Sequence, residues 1–252
     1  MSWIRTATGR HLDLTGSTAV DIDPLDLARG LARACRFAGQ CDAFYSVAQH
    51  CVLASLHVPS EHALHALLHD AAEAYLGDLT GPLKRLLVSY HQALLASAAQ
   101  VAGLTQTDFI EQLGHRLPLN WTVPYTRHAM ALQADRPFYH QLEQHLMSLI
   151  AEHFGLSPEM PDSVKAIDLR LLATERRDLM PADDEPWECL AGIEPLSDRI
   201  EPWPADVAER RYLRRLLELM PPSPRGHAQK LVELPSAAHT VCSAAHPVRH
   251  TR

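Results

Sequence analysis

Apolar residues recur on a helical period through most of this chain and alternate with polar ones only at its start. From Trp3 to Leu14 the alternation runs around Gly9 and predicts a short hairpin ahead of the helices. Asp23-Pro24 opens the first helix, with aspartate at the N-cap and proline in the first turn. Leu27, Leu31 and Cys35 form its inward stripe, and Gly39 is expected to stop it. Ser46 caps a second helix whose inward face carries Val47, His50, Cys51 and Ala54. Pro59-Ser60 breaks the chain, and a third helix is expected from Glu61 to Tyr75, ending at Gly77.

Residues 82–155 are helical by period, interrupted at Gly103, Pro118, Pro124 and Pro137. The clearest helix runs from Ser163 to Met180, with Val164, Ile167, Leu171, Leu172 and Leu179 on its apolar face. A segment rich in proline and tryptophan, 181–204, leads to a last amphipathic helix ending near Met220. The pattern predicts an all-α chain over residues 1–220, an orthogonal helical bundle with a short N-terminal β-hairpin. Residues 221–252 lack periodicity and read as a loosely ordered tail.

Composition narrows the classes of function. A net charge of −7 with no long basic run supplies no nucleic-acid face, so a small-molecule partner is favoured. No apolar window is long enough to span a membrane, and no secretory leader is evident. Five cysteines without framework spacing read as reduced thiols, which points to the cytoplasm. Nothing in the sequence fixes an oligomeric state, and a homo-oligomer stays open.

Three segments carry chemistry. Asp168 sits in the stripe 164, 167, 168, 171, 172, otherwise only Val, Ile and Leu. An unpaired carboxylate there costs several kcal/mol, which a bound cation or a buried arginine removes. His69-Asp70 lies in an otherwise apolar helix, and adjacent helical residues diverge by roughly 100°, so a cation shared by both must lie between them. Glu73 projects beside both, and Asp78 follows just past the helix end. His50 adds a second inward imidazole, a residue that alone is more often core than ligand. Together, His50, His69, Asp70 and Asp168 form a two-imidazole, two-carboxylate set. That mix suits one divalent transition metal (Mn, Co, Fe, Ni or Zn) better than Mg or Ca. With no closed cysteine pattern competing, the site is expected to be catalytic.

The order His50, His69-Asp70, Asp168 resembles the H…HD…D signature of the HD-superfamily phosphohydrolases. Surrounding strings resemble the bacterial 5′-deoxynucleotidases and related phage nucleotide hydrolases. They are Cys-Arg-Phe at 35–37, Tyr-Ser-Val-Ala-Gln-His at 45–50, Leu-His-Asp-Ala-Ala-Glu at 68–73, Gly-Asp-Leu-Thr-Gly-Pro-Leu-Lys at 77–84 and Val-Lys-Ala-Ile-Asp-Leu-Arg-Leu-Leu-Ala-Thr-Glu at 164–175. The resemblance implies an HD-domain bundle and metal ligation by His50, His69, Asp70 and Asp168. It gives catalytic roles to Glu73 and Asp78 and phosphate contact to Arg36. Lys84 reads equally as a phosphate contact or a surface residue. Two departures stand out: a helical insertion over 86–137, and Phe37 where the deoxynucleotidases carry tryptophan against the sugar. A weaker preference for deoxyribose follows.

The implied reaction releases phosphate from a (deoxy)nucleoside 5′-monophosphate by attack of a metal-activated water. The alternative is a deoxynucleoside triphosphate triphosphohydrolase, for which Arg116 or Arg127 from the insertion could supply further charge. A non-catalytic nucleotide-binding HD scaffold ranks lower, because it has no need of Glu73 and Asp78. Other constellations carry less. His65 and His69 are spaced like a zincin pair but lack the intervening glutamate; Cys242, His246 and His250 are interrupted by Pro247; and the basic string 210–215 reads as a solvated face.

Overall fold

The computed structural model describes residues 2–116, 136–182 and 184–220, apart from the side chains of 113–116. Contacts group Met1–Met220 as one unit. The expectations for Pro118, Pro124, Arg127, the side chain of Arg116 and the whole 221–252 segment fall outside what is described.

The predicted hairpin forms. β1 (Trp3–Arg5) and β2 (His11–Asp13) pair antiparallel, with Ile4 opposite Leu12. Asp26, nearly fully buried, ties its loop to the helices by accepting from the Thr8 backbone N–H at 2.7 Å and the Thr8 hydroxyl at 2.8 Å. Helix α1 (Pro24–Arg33) starts as expected, Asp23 accepting from the Leu25 N–H. It ends earlier than the apolar stripe implied. The Val47 N–H donates to Ala34 O at 3.0 Å and the Arg36 N–H to Tyr45 O at 2.9 Å. This antiparallel bridge of Cys35 and Ser46 removes Cys35 from the helix and pins the start of the next one beside the end of α1. Gly39 therefore closes a separate 3₁₀ turn, Arg36–Gly39, and not α1.

Helix α2 (Val47–Leu56) is capped by the Ser46 hydroxyl, which accepts from the Gln49 N–H at 3.2 Å. The third predicted helix is not continuous. A 3₁₀ turn (Ser60–His62) leads to α3 (Ala63–Leu68), a tight turn spans 69–72, and α4 (Glu73–Leu76) follows. Through that turn the Ala71, Glu73 and Ala74 N–H groups each donate three residues back rather than four. The Leu67 carbonyl, which loses the Ala71 amide, accepts the Tyr212 hydroxyl at 3.1 Å. Gly77, at φ 78°, then turns the chain towards Asp78.

Beyond it lie α5 (Gly81–Ala102), α6 (Gln106–Arg116), α7 (Phe138–Phe154), α8 (Asp162–Leu179) and α9 (Ala205–Leu219). Gly103 ends α5 and Pro137 precedes α7, as their positions predicted. One core cluster joins α1, α2, α3, α7 and α9 through Leu27, Leu31, Ala48, Leu67, Leu146 and Tyr212. A second lies between α2 and α8 around Ala54, Val164, Ile167 and Leu171. The 181–204 segment is held by its backbone: Gln49 donates to Glu201 O and accepts from the Trp203 N–H, both at 2.8 Å, and Thr174 Oγ1 accepts from the Leu196 N–H at 2.8 Å. From the basic string, Arg215 donates to Ser55 O at 3.0 Å near the end of α2, so that residue is not simply solvated. No helix of the described residues is long and apolar enough to cross a membrane.

Gly30 explains how closely α1 and α4 approach. A Cβ at this position would lie 2.5 Å from Ala74 O and 2.9 Å from Ala74 Cα, both backbone atoms of α4. A glycine inside a helix ordinarily costs about 1 kcal/mol relative to alanine. Gly30→Ala should nonetheless destabilise the protein by about 1–3 kcal/mol, because overpacking outweighs the propensity gain. Equilibrium denaturation checks this, and an unchanged or raised midpoint would contradict the close contact.

Candidate metal centre

Three helical segments converge on one point. α2 delivers His50 in its first turn, the tight turn after α3 delivers His69 and Asp70, and the middle of α8 delivers Asp168. His50 Nε2 lies 3.1 Å from His69 Nε2 and 3.1 Å from Asp168 Oδ1. Asp70 Oδ2 lies 3.3 Å from His69 Nε2 and 3.7 Å from His50 Nε2, and His69 Nε2 is 3.8 Å from Asp168 Oδ1. The four side chains named from sequence lie close enough to hold a metal ion. Asp168 does not sit deep in the apolar stripe. Its side chain is 43% exposed while Val164, Ile167 and Leu171 are buried, so it borders the core and faces the centre. The desolvation argument from sequence therefore overstated its burial.

The imidazoles test whether a cation fits. His69 Nδ1 is 2.7 Å from Ala66 O, a carbonyl that can only accept. His50 Nδ1 is 2.6 Å from the fully buried carboxylate of Glu175. In the neutral rings both Nδ1 atoms thus carry the proton, and both Nε2 lone pairs point at each other and at two carboxylates. Such lone pairs repel unless a positive charge lies among them. A divalent cation meets that need, and two carboxyl–imidazole and carbonyl–imidazole contacts hold the rings in the ligating tautomer.

Electrostatics agree. Burial lowers His50, and Arg36 adds to this, but Glu175 and Asp168 outweigh both and lift it above its ordinary value. Burial also lowers His69, yet Asp70, Cys51 and Asp168 raise it well above. Burial raises Asp168, while its bonds to the two imidazoles hold it far below the usual carboxylate range. Both imidazoles thus favour positive charge at this point, the kind of charge that a cation would bring.

Two non-ligand carboxylates flank the centre. In the tight turn, residues three apart nearly eclipse, which stands Glu73 over Asp70. Burial first, then the charges of Asp70 and Asp78, push the Glu73 carboxyl up to about 9 against the pull of Lys84 and Arg36. Glu73 Oε2 is buried without a partner. Asp78 is also raised, chiefly by burial, with Arg36, Lys84 and the Phe37 amide opposing. Lys84 is part of this group: its Nζ is 2.9 Å from Glu143 and 3.5 Å from Glu73. Arg36 is also here, with Nη1 3.4 Å from Asp70 and Nη2 3.1 Å from Glu175. Phe37 and Ala38 hold left-handed backbone conformations (φ 58° and 52°), an arrangement that costs side-chain-bearing residues energy and clusters at functional sites. Phe37 lies 6.3 Å from the Trp187 ring.

The sequence reading gave no roles to Glu175, Glu143, Cys51 or Trp187. Glu175 was legible in principle, because it follows Asp168 by seven residues, two helical turns along one face. Cys51 forms a second possible grouping with His69 and Asp70. Its neighbour His50 masked it, because an inward cysteine reads as core. Glu143 and Trp187 reach the site only through tertiary packing.

Asp168→Ala should lose the metal, and stoichiometric metal in the purified variant would remove Asp168 from the ligand set. Glu73→Gln should retain it. In metal-free protein Glu73→Gln should also be stabilising, with a definite pH dependence. The unfolded carboxyl ionises near its ordinary 4.5, whereas the folded one keeps its proton to about 9. The native state is therefore increasingly penalised as pH rises through that window. Between about pH 5 and 8 the advantage of the variant should grow by more than roughly 1.4 kcal/mol, the worth of a tenfold change in proton affinity. Denaturation midpoints that differ by a pH-independent amount would count against the raised Glu73.

No family model matches the sequence. An uncharacterized protein of Rhodobacter capsulatus is 42% identical over 92 residues, 33% of this chain and 47% of that protein. The uncharacterized protein YfdR of Escherichia coli strain K12 is 37% identical over 193 residues, which span 77% of this chain and 81% of YfdR. Identity at that level over most of both chains marks common descent, and the chain belongs to the family of YfdR.

Proposed function

We propose that this protein is a metal-dependent phosphohydrolase of the HD type, acting on (deoxy)nucleoside 5′-monophosphates. The observation that carries the reading is the pair of Nε2 atoms, 3.1 Å apart, each with its Nδ1 engaged elsewhere and two carboxylates alongside. A divalent cation held by His50, His69, Asp70 and Asp168 would supply a Lewis acid that acidifies water and polarises a phosphoryl oxygen.

The remaining residues suit hydrolysis of a phosphate ester. One proton must leave the attacking water and one must reach the departing oxygen, so two acid–base groups in unlike surroundings are needed. Glu73, buried and facing two carboxylates, holds a proton through neutral pH in the metal-free site. Asp78, restrained by Arg36 and Lys84, is the counterpart that accepts one. Arg36 presents a guanidinium for a phosphoryl oxygen.

Charge favours a single phosphate. Arg36 already faces Glu175 and Asp70, and Lys84 faces Glu143 and Glu73, so the positive charge around the centre is largely balanced. A triphosphate would call for more. A cavity of about 510 Å³ borders His69, Asp70 and Glu73, with Leu68, Met147 and Met160 among its walls. Its size and its mixed lining suit the organic part of a nucleotide. Phe37 supplies aromatic surface beside Arg36, with the Trp187 ring 6.3 Å from that of Phe37.

Incubation with AMP, dAMP and dATP in the presence of Mn or Co, with products identified, tests the reading. Phosphate should be released from both monophosphates. Preference for dAMP should stay within about 10², the most that apolar contact achieves against an added hydroxyl. Inorganic triphosphate from dATP, with dAMP untouched, would install the triphosphohydrolase instead. No product from any of the three would leave a nucleotide-binding scaffold. Glu73→Gln should lower turnover by roughly 10² or more while keeping the metal.

A further inference from the structure

Glu175 is the one carboxylate of the cluster with no access to solvent. It comes from α8, two turns beyond Asp168, and both its oxygens are engaged by site residues. Oε1 is 2.6 Å from His50 Nδ1. Oε2 accepts from Arg36 Nε at 3.2 Å and from Arg36 Nη2 at 3.1 Å. The remaining guanidinium nitrogen, Nη1, reaches Asp70 Oδ2 at 3.4 Å. The third neighbour, Tyr45, is fully buried and stays protonated, its phenol held well above its ordinary value by burial and by Glu175 itself. A closed circuit results: Asp70, Arg36, Glu175, His50, and back to Asp70 across 3.7 Å.

We infer that Glu175 is a positioning residue that couples the metal ligand His50 to the anion-binding Arg36 by accepting from both at once. The inference rests on the metal-dependent reading above. Its content is a count of acceptors. His50 must donate from Nδ1 to leave Nε2 free for a metal, and Arg36 offers only donors. A carboxylate serves both, having lone pairs on two oxygens. A glutamine has one acceptor oxygen, and its NH₂ repels whichever donor it meets. In Glu175→Gln, His50 and Arg36 therefore compete for one oxygen. If Arg36 wins, the imidazole turns or changes tautomer and ligation suffers. If His50 wins, the guanidinium loses its anchor and phosphate binding suffers. The fork of Arg36 is divided in the same way: Nε and Nη2 are committed to Glu175, whereas a cation on Asp70 frees Nη1 for a phosphoryl oxygen.

Cobalt(II) titrated against a chelator, and inorganic phosphate titrated into the cobalt-loaded protein, give readouts independent of turnover. Glu175→Gln should weaken cobalt binding by about 10–100-fold, the usual effect of losing a ligand's outer partner, or weaken phosphate binding comparably. The double variant Arg36→Met/Glu175→Gln should regain cobalt affinity relative to Glu175→Gln, because the glutamine oxygen then belongs to His50 alone. A merely structural role would lower thermal stability without this recovery. Cobalt and phosphate affinities both within threefold of wild type in Glu175→Gln, or no recovery in a double variant whose parent had lost cobalt, would overturn the coupling. If the variants fail to fold, nitrogen-15 NMR of the zinc-loaded wild-type protein decides: His50 must carry its proton on Nδ1, and an Nδ1 without a proton overturns the inference. Wild-type protein that binds no cobalt at all overturns the metal-dependent reading with it, whereas tight wild-type binding unaffected by Glu175→Gln sinks the coupling alone.

Discussion

The contact between His50 Nδ1 and the buried carboxylate of Glu175, 2.6 Å long, fixes which nitrogen of His50 is free, and much of the molecule is arranged around that choice. Neither group could sit in the core by itself, because a buried carboxylate without partners costs several kcal/mol. Arg36 shares the carboxylate, and Arg36 is held at the bridge between the end of α1 and the start of α2. That bridge cuts α1 short and sets the left-handed turn at Phe37 and Ala38. Helix α8 is in turn bound to His50 on both ring nitrogens, by Glu175 at Nδ1 and by Asp168 at Nε2, so one helix face addresses the centre twice.

The tight turn after α3 solves a related problem. Adjacent residues of an α-helix diverge by roughly 100°, which separates His69 from Asp70. Winding 69–72 more tightly brings Glu73 over Asp70 and adds repulsion to the burial that already raises the Glu73 carboxyl. The same geometry that gathers His69 and Asp70 at the centre therefore also sets a carboxyl with a raised proton affinity beside them.

Much of the architecture was legible in the sequence because it rests on local rules. Asp23 and Ser46 cap their helices, Gly103 and Pro137 mark helix limits, and the hairpin forms around Gly9. The convergence of His50, His69, Asp70 and Asp168 could be expected for a different reason: polar residues interrupting apolar stripes need a partner, and four of them in order suggest a shared one. Where the reading failed, a non-local contact decided the outcome. α1 stops at Arg33 because Ala34 and Arg36 bond to Val47 and Tyr45, and the third helix breaks because the Tyr212 hydroxyl replaces an amide at Leu67. Neither partner can be inferred from periodicity. Glu175 lay in plain view on the face of Asp168, but its significance depends on Arg36 being 139 residues away in sequence and 3.2 Å away in space.

Tyr212 also imposes an order on how the centre can be made. The hydroxyl that satisfies Leu67 comes from α9, nearly a hundred and fifty positions later in the chain. Until that helix is synthesised and docked, the Leu67 carbonyl lacks this donor. During translation the segments that carry His50, His69 and Asp70 emerge long before Tyr212. A chain that ends before Tyr212 therefore lacks the donor that the tight turn beside His69 and Asp70 uses in the folded protein.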